Sequence, residues 1–196
     1  VKHLEIGDDF RFGCDRSGDF AFLQQAGAVA GFTVEEAATV ELNGSRVSST
    51  RVREALQAAD FVEAEHLLGR PFAIAGRVVH GQKLGRQLGA PTANVQLKRH
   101  RVPLNGVFLV SMELEGVLQP GVANIGVRPS VKADGFAHLE VHLLDFAGDL
   151  YDRRVSVVFH HKLRDEQRFA SLEALKSAIA ADVVAARAFW QDQLNS

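Results

Sequence analysis

Short apolar-rich runs, broken by turn residues, recur along the last two-thirds of the chain, a pattern of apolar and polar positions that predicts strands. Phe72 to Val79 is one such stretch and Val107 to Leu114 another. Glu115-Gly116 reads as a hairpin turn, after which Val117 to Ile125 runs back. His138 to Leu144 and Arg154 to Phe159 complete the set. Short strands joined by glycine-rich turns predict a small closed antiparallel β-barrel, which removes exposed sheet edges.

Elsewhere the period is helical. Val52, Ala55, Leu56 and Ala59 predict a helix over Thr50 to Ala59. Asp60 is placed to cap a second helix, with Glu63 completing a loose capping box; Ala64, Leu67 and Leu68 face inward and Gly69 stops it. Leu172, Leu175, Ile179, Val183, Ala186 and Phe189 or Trp190 step by three or four, so the chain ends in a helix capped by Ser171 that packs on the barrel. The expected class is mainly β with α: a closed barrel and C-terminal helix at 69–196, preceded at 1–68 by a partial α/β region.

Composition narrows this picture little. A chain of 196 residues fits one moderate domain plus part of another. Net charge is −2, so no global basic field exists to hold nucleic acid or an anionic membrane. A single cysteine, Cys14, makes neither an internal disulfide nor a zinc cluster, which points to a reducing, cytoplasmic setting. No apolar run has membrane-spanning length, and no obligate protein partner is evident. The chain opens without Met inside a strand-like segment, as a piece of a longer protein would.

The most informative stretch is Gly81 to Asn94. Gly81, Gly85 and Gly89 recur every four residues after a strand, and glycine lets backbone N–H groups approach an anion. Lys83 and Arg86 add positive charge, while Thr92 and Asn94 offer the hard oxygens that Mg²⁺ prefers. The spacing is neither a Walker A loop nor a Rossmann fingerprint. On these grounds alone an ordinary surface loop stays open as a reading. So does a solvated face for Glu140, a surface ion pair for Arg164, and a plain helix cap for Ser48-Ser49-Thr50. The histidines lack a zinc-site context; His160 and His161, adjacent on a strand, are expected to face opposite ways.

The order Gly…Gly-Arg-x-Leu-Gly-x-Pro-Thr-Ala-Asn resembles the signature of the riboflavin kinase family. Gly106-Val107-Phe108, Asn124-Ile125-Gly126-Val127-Arg128-Pro129-Ser130 and Leu139-Glu140-Val141-His142-Leu143-Leu144 resemble its further elements. Phe108 stands for the usual Tyr, Ser130 for Thr and Asp152 for Gly. The resemblance implies ATP and riboflavin as substrates, FMN as product and Mg²⁺ as cofactor. It assigns Thr92 and Asn94 to Mg²⁺ and ATP phosphates, with Gly81, Lys83, Gly85 and Arg86 lining the nucleotide site. It makes Glu140 the catalytic carboxylate and puts Asn124, Arg128, Arg164 and Phe169 on the flavin side.

Residues 6–20 and the Ser48-Ser49-Thr50-Arg51-Val52-Arg53 run resemble part of the adenylyltransferase module of bacterial bifunctional riboflavin kinase/FAD synthetases. There, Ser48, Ser49, Thr50 and Arg53 would hold phosphate at a helix start. The His-x-Gly-His element of that module does not occur in this sequence, so adenylyl transfer is not expected from this chain alone. Two other classes remain to be separated from a kinase: a nucleotidyltransferase acting through residues 1–60, and a non-catalytic flavin- or nucleotide-binding barrel.

Overall fold

The computed structural model describes residues 1–81, 91–97, 102–127 and 137–194. They divide into two compact units, Val1–Ser48 and Ser49–Ser196.

The first unit is built on a parallel strand pair. β1 (His3–Ile6) and β2 (Thr33–Glu36) run side by side in register His3 to Thr33 through Ile6 to Glu36. Parallel neighbours need a crossover, and α1 (Phe20–Ala30) lies in that connection. The helix starts where Asp19 accepts the Phe22 N–H at 2.9 Å. It ends at Gly31, whose left-handed φ of 77° lets its N–H reach the Gly27 carbonyl. A two-residue hairpin, β3 (Glu41–Leu42) and β4 (Ser45–Arg46), turns through Asn43-Gly44 with both residues at positive φ.

The second unit opens with two helices. α2 (Ser49–Gln57) and α3 (Phe61–Leu68) are joined by an Arg51–Glu63 ion pair at 2.8 Å. Asp60 caps α3 through the Glu63 N–H, and Gly69 ends it in the left-handed region, both as the sequence predicts. Phe61, Ala64 and Leu67 of α3 are buried. The Phe61 ring meets Phe108 and Phe159 at centroid distances of 5.9 and 6.1 Å, so α3 is part of the barrel's core rather than a tether.

Six antiparallel strands close the barrel. In chain order they are β5 (Ala73–Val79), β6 (Ala93–Gln96), β7 (Gly106–Leu114), β8 (Val117–Val127), β9 (Ala137–Leu143) and β10 (Arg154–Arg164). Around the barrel the order is β10-β5-β6-β9-β8-β7. Strand β9 shows the alternation most cleanly: Ala137, Leu139, Val141 and Leu143 are buried, while His138, Glu140 and His142 are partly exposed. Glu115 and Gly116, at φ 54° and 82°, make the tight turn between β7 and β8.

The final helix, α4 (Leu172–Leu194), begins where Ser171 Oγ accepts the Ala174 N–H. Its later turns cover the outside of β7 and β8. Ala186 is fully buried against Val107, Leu109, Val122 and Leu144, with Val183, Phe189 and Trp190 alongside. The start of the apolar stripe does not pack: Leu172 is 55% exposed. One expectation fails here. The register of β10 against β7 shifts between Phe159 and His161, and this bulge breaks strict alternation. As a result both neighbouring rings meet α4, His160 against Trp190 and His161 against Phe189.

Candidate active site

Strand register brings distant residues of the sequence into one row. Asn94 on β6 pairs with Glu140 on β9, Glu140 with Asn124 on β8, Asn124 with Val107 on β7, and Val107 with Arg164 on β10. On the other side Asn94 pairs with Val79 of β5. Residues directly opposite on antiparallel strands share a face and hold their Cβ atoms about 5 Å apart. Val107 lies under α4, so the row runs over the outer face of the barrel and emerges from beneath the helix at Asn124, Glu140 and Asn94.

Beside this row a solvent-open cleft of about 100 Å³ lies at the end of β5 and the start of β6. Gly81, Thr92 and Asn94 line it, together with Phe146, Asp149 and Tyr151. Gly81 leaves room for the Asn94 carboxamide, which a Cβ there would displace. Tyr151 stacks on His80, ring centroids 3.9 Å apart, and fixes that wall. Tyr151 N–H donates to Asp149 Oδ1 at 2.9 Å, which shapes the turn entering the cleft.

The remaining candidates fall into three groups. Asn124 stands between Glu140 and Val107, and its Oδ1 is buried with no hydrogen-bond partner among the described residues. Arg164 is held by a bidentate pair with Asp182 of α4, at 2.9 and 2.8 Å, and its guanidinium lies 5.7 Å from the Phe169 ring centroid. Its NH1 donates to the Asp165 carbonyl, so the planar group is fixed in orientation. Lys83, Gly85, Arg86 and Arg128 lie outside the described residues. At the other end of the unit, Ser49, Thr50 and Arg53 lie on the opening turns of α2, directly after Ser48.

Four residues near this site were not singled out from sequence. Asp182 anchors Arg164 across 18 positions, and nothing local in the helix announces it. Tyr151 and Phe146 enter the cleft from the β9–β10 connection, again a long-range effect. His142 was legible in principle: it follows Glu140 by two on β9, hence shares its face, and its Nδ1 is 2.9 Å from the Pro91 carbonyl.

Among the described residues no group of three or more His, Cys, Asp or Glu side chains is placed to hold a metal. The oxygen-bearing side chains that line the cleft are those of Thr92, Asn94, Asp149 and Tyr151. That sparse oxygen set is the kind Mg²⁺ accepts when phosphates supply the rest. No described helix is long and apolar enough to cross a membrane.

Comparison with known proteins agrees with this geometry. A family model described as FAD synthetase matches residues 1–51. The bifunctional riboflavin kinase/FMN adenylyltransferase of Pseudomonas fluorescens is 77% identical over 188 residues, covering 96% of this chain and 60% of the relative. Its Escherichia coli K12 counterpart is 54% identical over 193 residues, covering 97% of this chain and 61% of the relative. The chain thus spans about three-fifths of the length of these curated relatives. A crystal structure described as a macrolide-efflux protein from Streptococcus pneumoniae superposes with a TM-score of 0.67 at 33% identity, over 93% of this chain and 60% of that one. A family model described as riboflavin kinase matches residues 68–190, across the whole barrel and most of α4. The chain belongs to the riboflavin kinase family.

Proposed function

We propose that residues 69–196 form a kinase domain that transfers the γ-phosphoryl group of ATP to the 5′-hydroxyl of riboflavin, giving FMN and ADP. The observation that carries this reading is the pairing of Asn94 with Glu140 beside a cleft that Thr92 also lines. Phosphate-handling oxygens and a carboxylate are then neighbours on adjacent strands.

In this reading Thr92 and Asn94 orient the ATP phosphates and would hold Mg²⁺, and bound Mg²⁺ would neutralise charge on the transferring group. Gly81 leaves room for the Asn94 amide, and Lys83, Gly85 and Arg86 belong to the same nucleotide loop. Riboflavin lies on the Asn124 and Arg164 side of Glu140, with Phe169 and Arg128 contributing there. A primary alcohol is a weak nucleophile at neutral pH. Glu140 orients the hydroxyl and accepts its proton as the oxygen bonds to the γ-phosphorus. The bond from that phosphorus to the β–γ bridging oxygen breaks, and ADP leaves with the electron pair. Positioning and charge neutralisation supply most of the acceleration, as in phosphoryl transfer generally.

Residues 1–68 are proposed as a remnant of an FMN adenylyltransferase domain, with Ser48, Ser49, Thr50 and Arg53 its phosphate-binding start. The parallel β1–α1–β2 arrangement supports an α/β nucleotide fold there. FAD synthesis is assigned to the longer protein, in the cytoplasm. The test is to incubate the 196-residue chain with riboflavin, ATP and Mg²⁺ and to separate the flavins by chromatography. FMN without FAD is expected. Quenching of flavin fluorescence with no ADP or FMN from a folded chain would replace this reading with that of a binding barrel.

A further inference from the structure

We infer that His142 is a positioning residue for the nucleotide: its imidazole clamps the Pro91–Thr92 peptide and thereby sets where Thr92 presents its polar groups. This rests on the assignment of the cleft to Mg·ATP.

Backbone pairing between β6 and β9 starts at Ala93 opposite Val141. Thr92 and Pro91 precede it, so strand pairing does not hold them in place. His142 lies one residue beyond that first pair, and its Nδ1 is 2.9 Å from the Pro91 oxygen. A carbonyl only accepts, so Nδ1 carries the proton and donates. The side chain thus continues the ladder one step past the last backbone pair. Pro91 O and the Thr92 N–H belong to one planar peptide group. Fixing the oxygen fixes the plane, and the proline ring already fixes φ of Pro91. Thr92, which lines the cleft, therefore leaves this peptide in a set direction.

His142 itself does not line the cleft, and on its other side it pairs with Val122 of β8. Its effect on ligand therefore passes through Pro91–Thr92.

The test uses the full 196-residue chain and titration calorimetry with Mg·ADP, alongside steady-state FMN formation. H142A should weaken Mg·ADP and raise KM for Mg·ATP by roughly tenfold, the reach of one lost hydrogen bond. KM for riboflavin and the thermal midpoint should stay near wild type. H142N, whose Nδ2 sits the same number of bonds from Cα as Nδ1, should recover most of the affinity. Equal Mg·ADP affinity in wild type and H142A, or an H142N as impaired as H142A, overturns the clamp. Wild-type chain that binds Mg·ADP but forms no FMN would remove the kinase reading while the calorimetry still judges His142.

Discussion

Glu140 projects from a strand whose other face is core, so its environment is set by its neighbours across β6 and β8 rather than along the chain. Sequence alone leaves such an acid looking like part of a solvated face. Register changes that, since Asn94 and Asn124 flank it directly. Glu140→Gln preserves size and hydrogen bonding but removes the proton acceptor. FMN formation should fall by roughly 10²–10⁴-fold, the usual reach of a general base. Mg·ADP affinity should change little, because the nucleotide groups lie on β6 and before it. Turnover near wild type in single-turnover assays would take Glu140 out of the mechanism. Arg164 teaches a similar lesson about legibility. It forms an ion pair, the plain reading its sequence leaves open, but a bidentate one whose side chains are only 22% and 10% exposed, at the end of the Glu140 row.

Strands β5, β7, β8, β9 and β10 were legible because each is an apolar-rich run bounded by turn residues, with alternation clearest in β9. β6 was not. Its four residues, Ala93–Gln96, are too short to show a period, and they become a strand by pairing with β5 on one side and β9 on the other. The bulges in β10 were equally hidden, since an inserted residue is visible only against a partner. One of them has an energetic consequence. His160 sits between β7 and α4, with Ser111 Oγ 2.8 Å from Nε2 and Trp190 edge-on at 4.9 Å. Burial pushes its pKa below the ordinary 6.5, against a smaller opposing pull from the Glu65 carboxylate. The unfolded chain therefore takes up a proton first as pH falls. Stability is full above about pH 6.5 and declines as pH drops from there to the lower folded value, below which this contribution stops changing. Thermal midpoints measured from pH 7.5 downwards should show this decline in wild type and a flatter profile in His160→Gln. Parallel profiles would mean that His160 charges without cost in its place.

At the scale of the whole chain, the pattern of periods suggests a division at 68/69, where strand alternation takes over from helices. Packing argues that α2 and α3 fold with the barrel. Phe61, only 7% exposed, closes an aromatic cluster with Phe108 and Phe159, and Phe72 joins it through Phe159 at 5.8 Å. The same cluster explains why Phe108 does without a tyrosine hydroxyl: at 1% exposure, ringed by aromatics, a hydroxyl would need a buried partner. Two truncations separate the two boundaries. A chain of residues 49–196 keeps the cluster intact and should melt cooperatively with FMN formation close to that of the full chain. A chain of residues 69–196 loses α3 and bares Phe108 and Phe159. Loss of the Phe61 ring alone is worth about 3–5 kcal/mol. In a domain of this size that lowers the thermal midpoint by about 10 °C. Phe61→Ala in the 49–196 chain should reproduce most of that loss while leaving KM for both substrates unchanged, since its ring partners Phe108 and Phe159 do not line the cleft. Equal midpoints for the two truncations would put the boundary at 68/69 and reduce α2 and α3 to a linker.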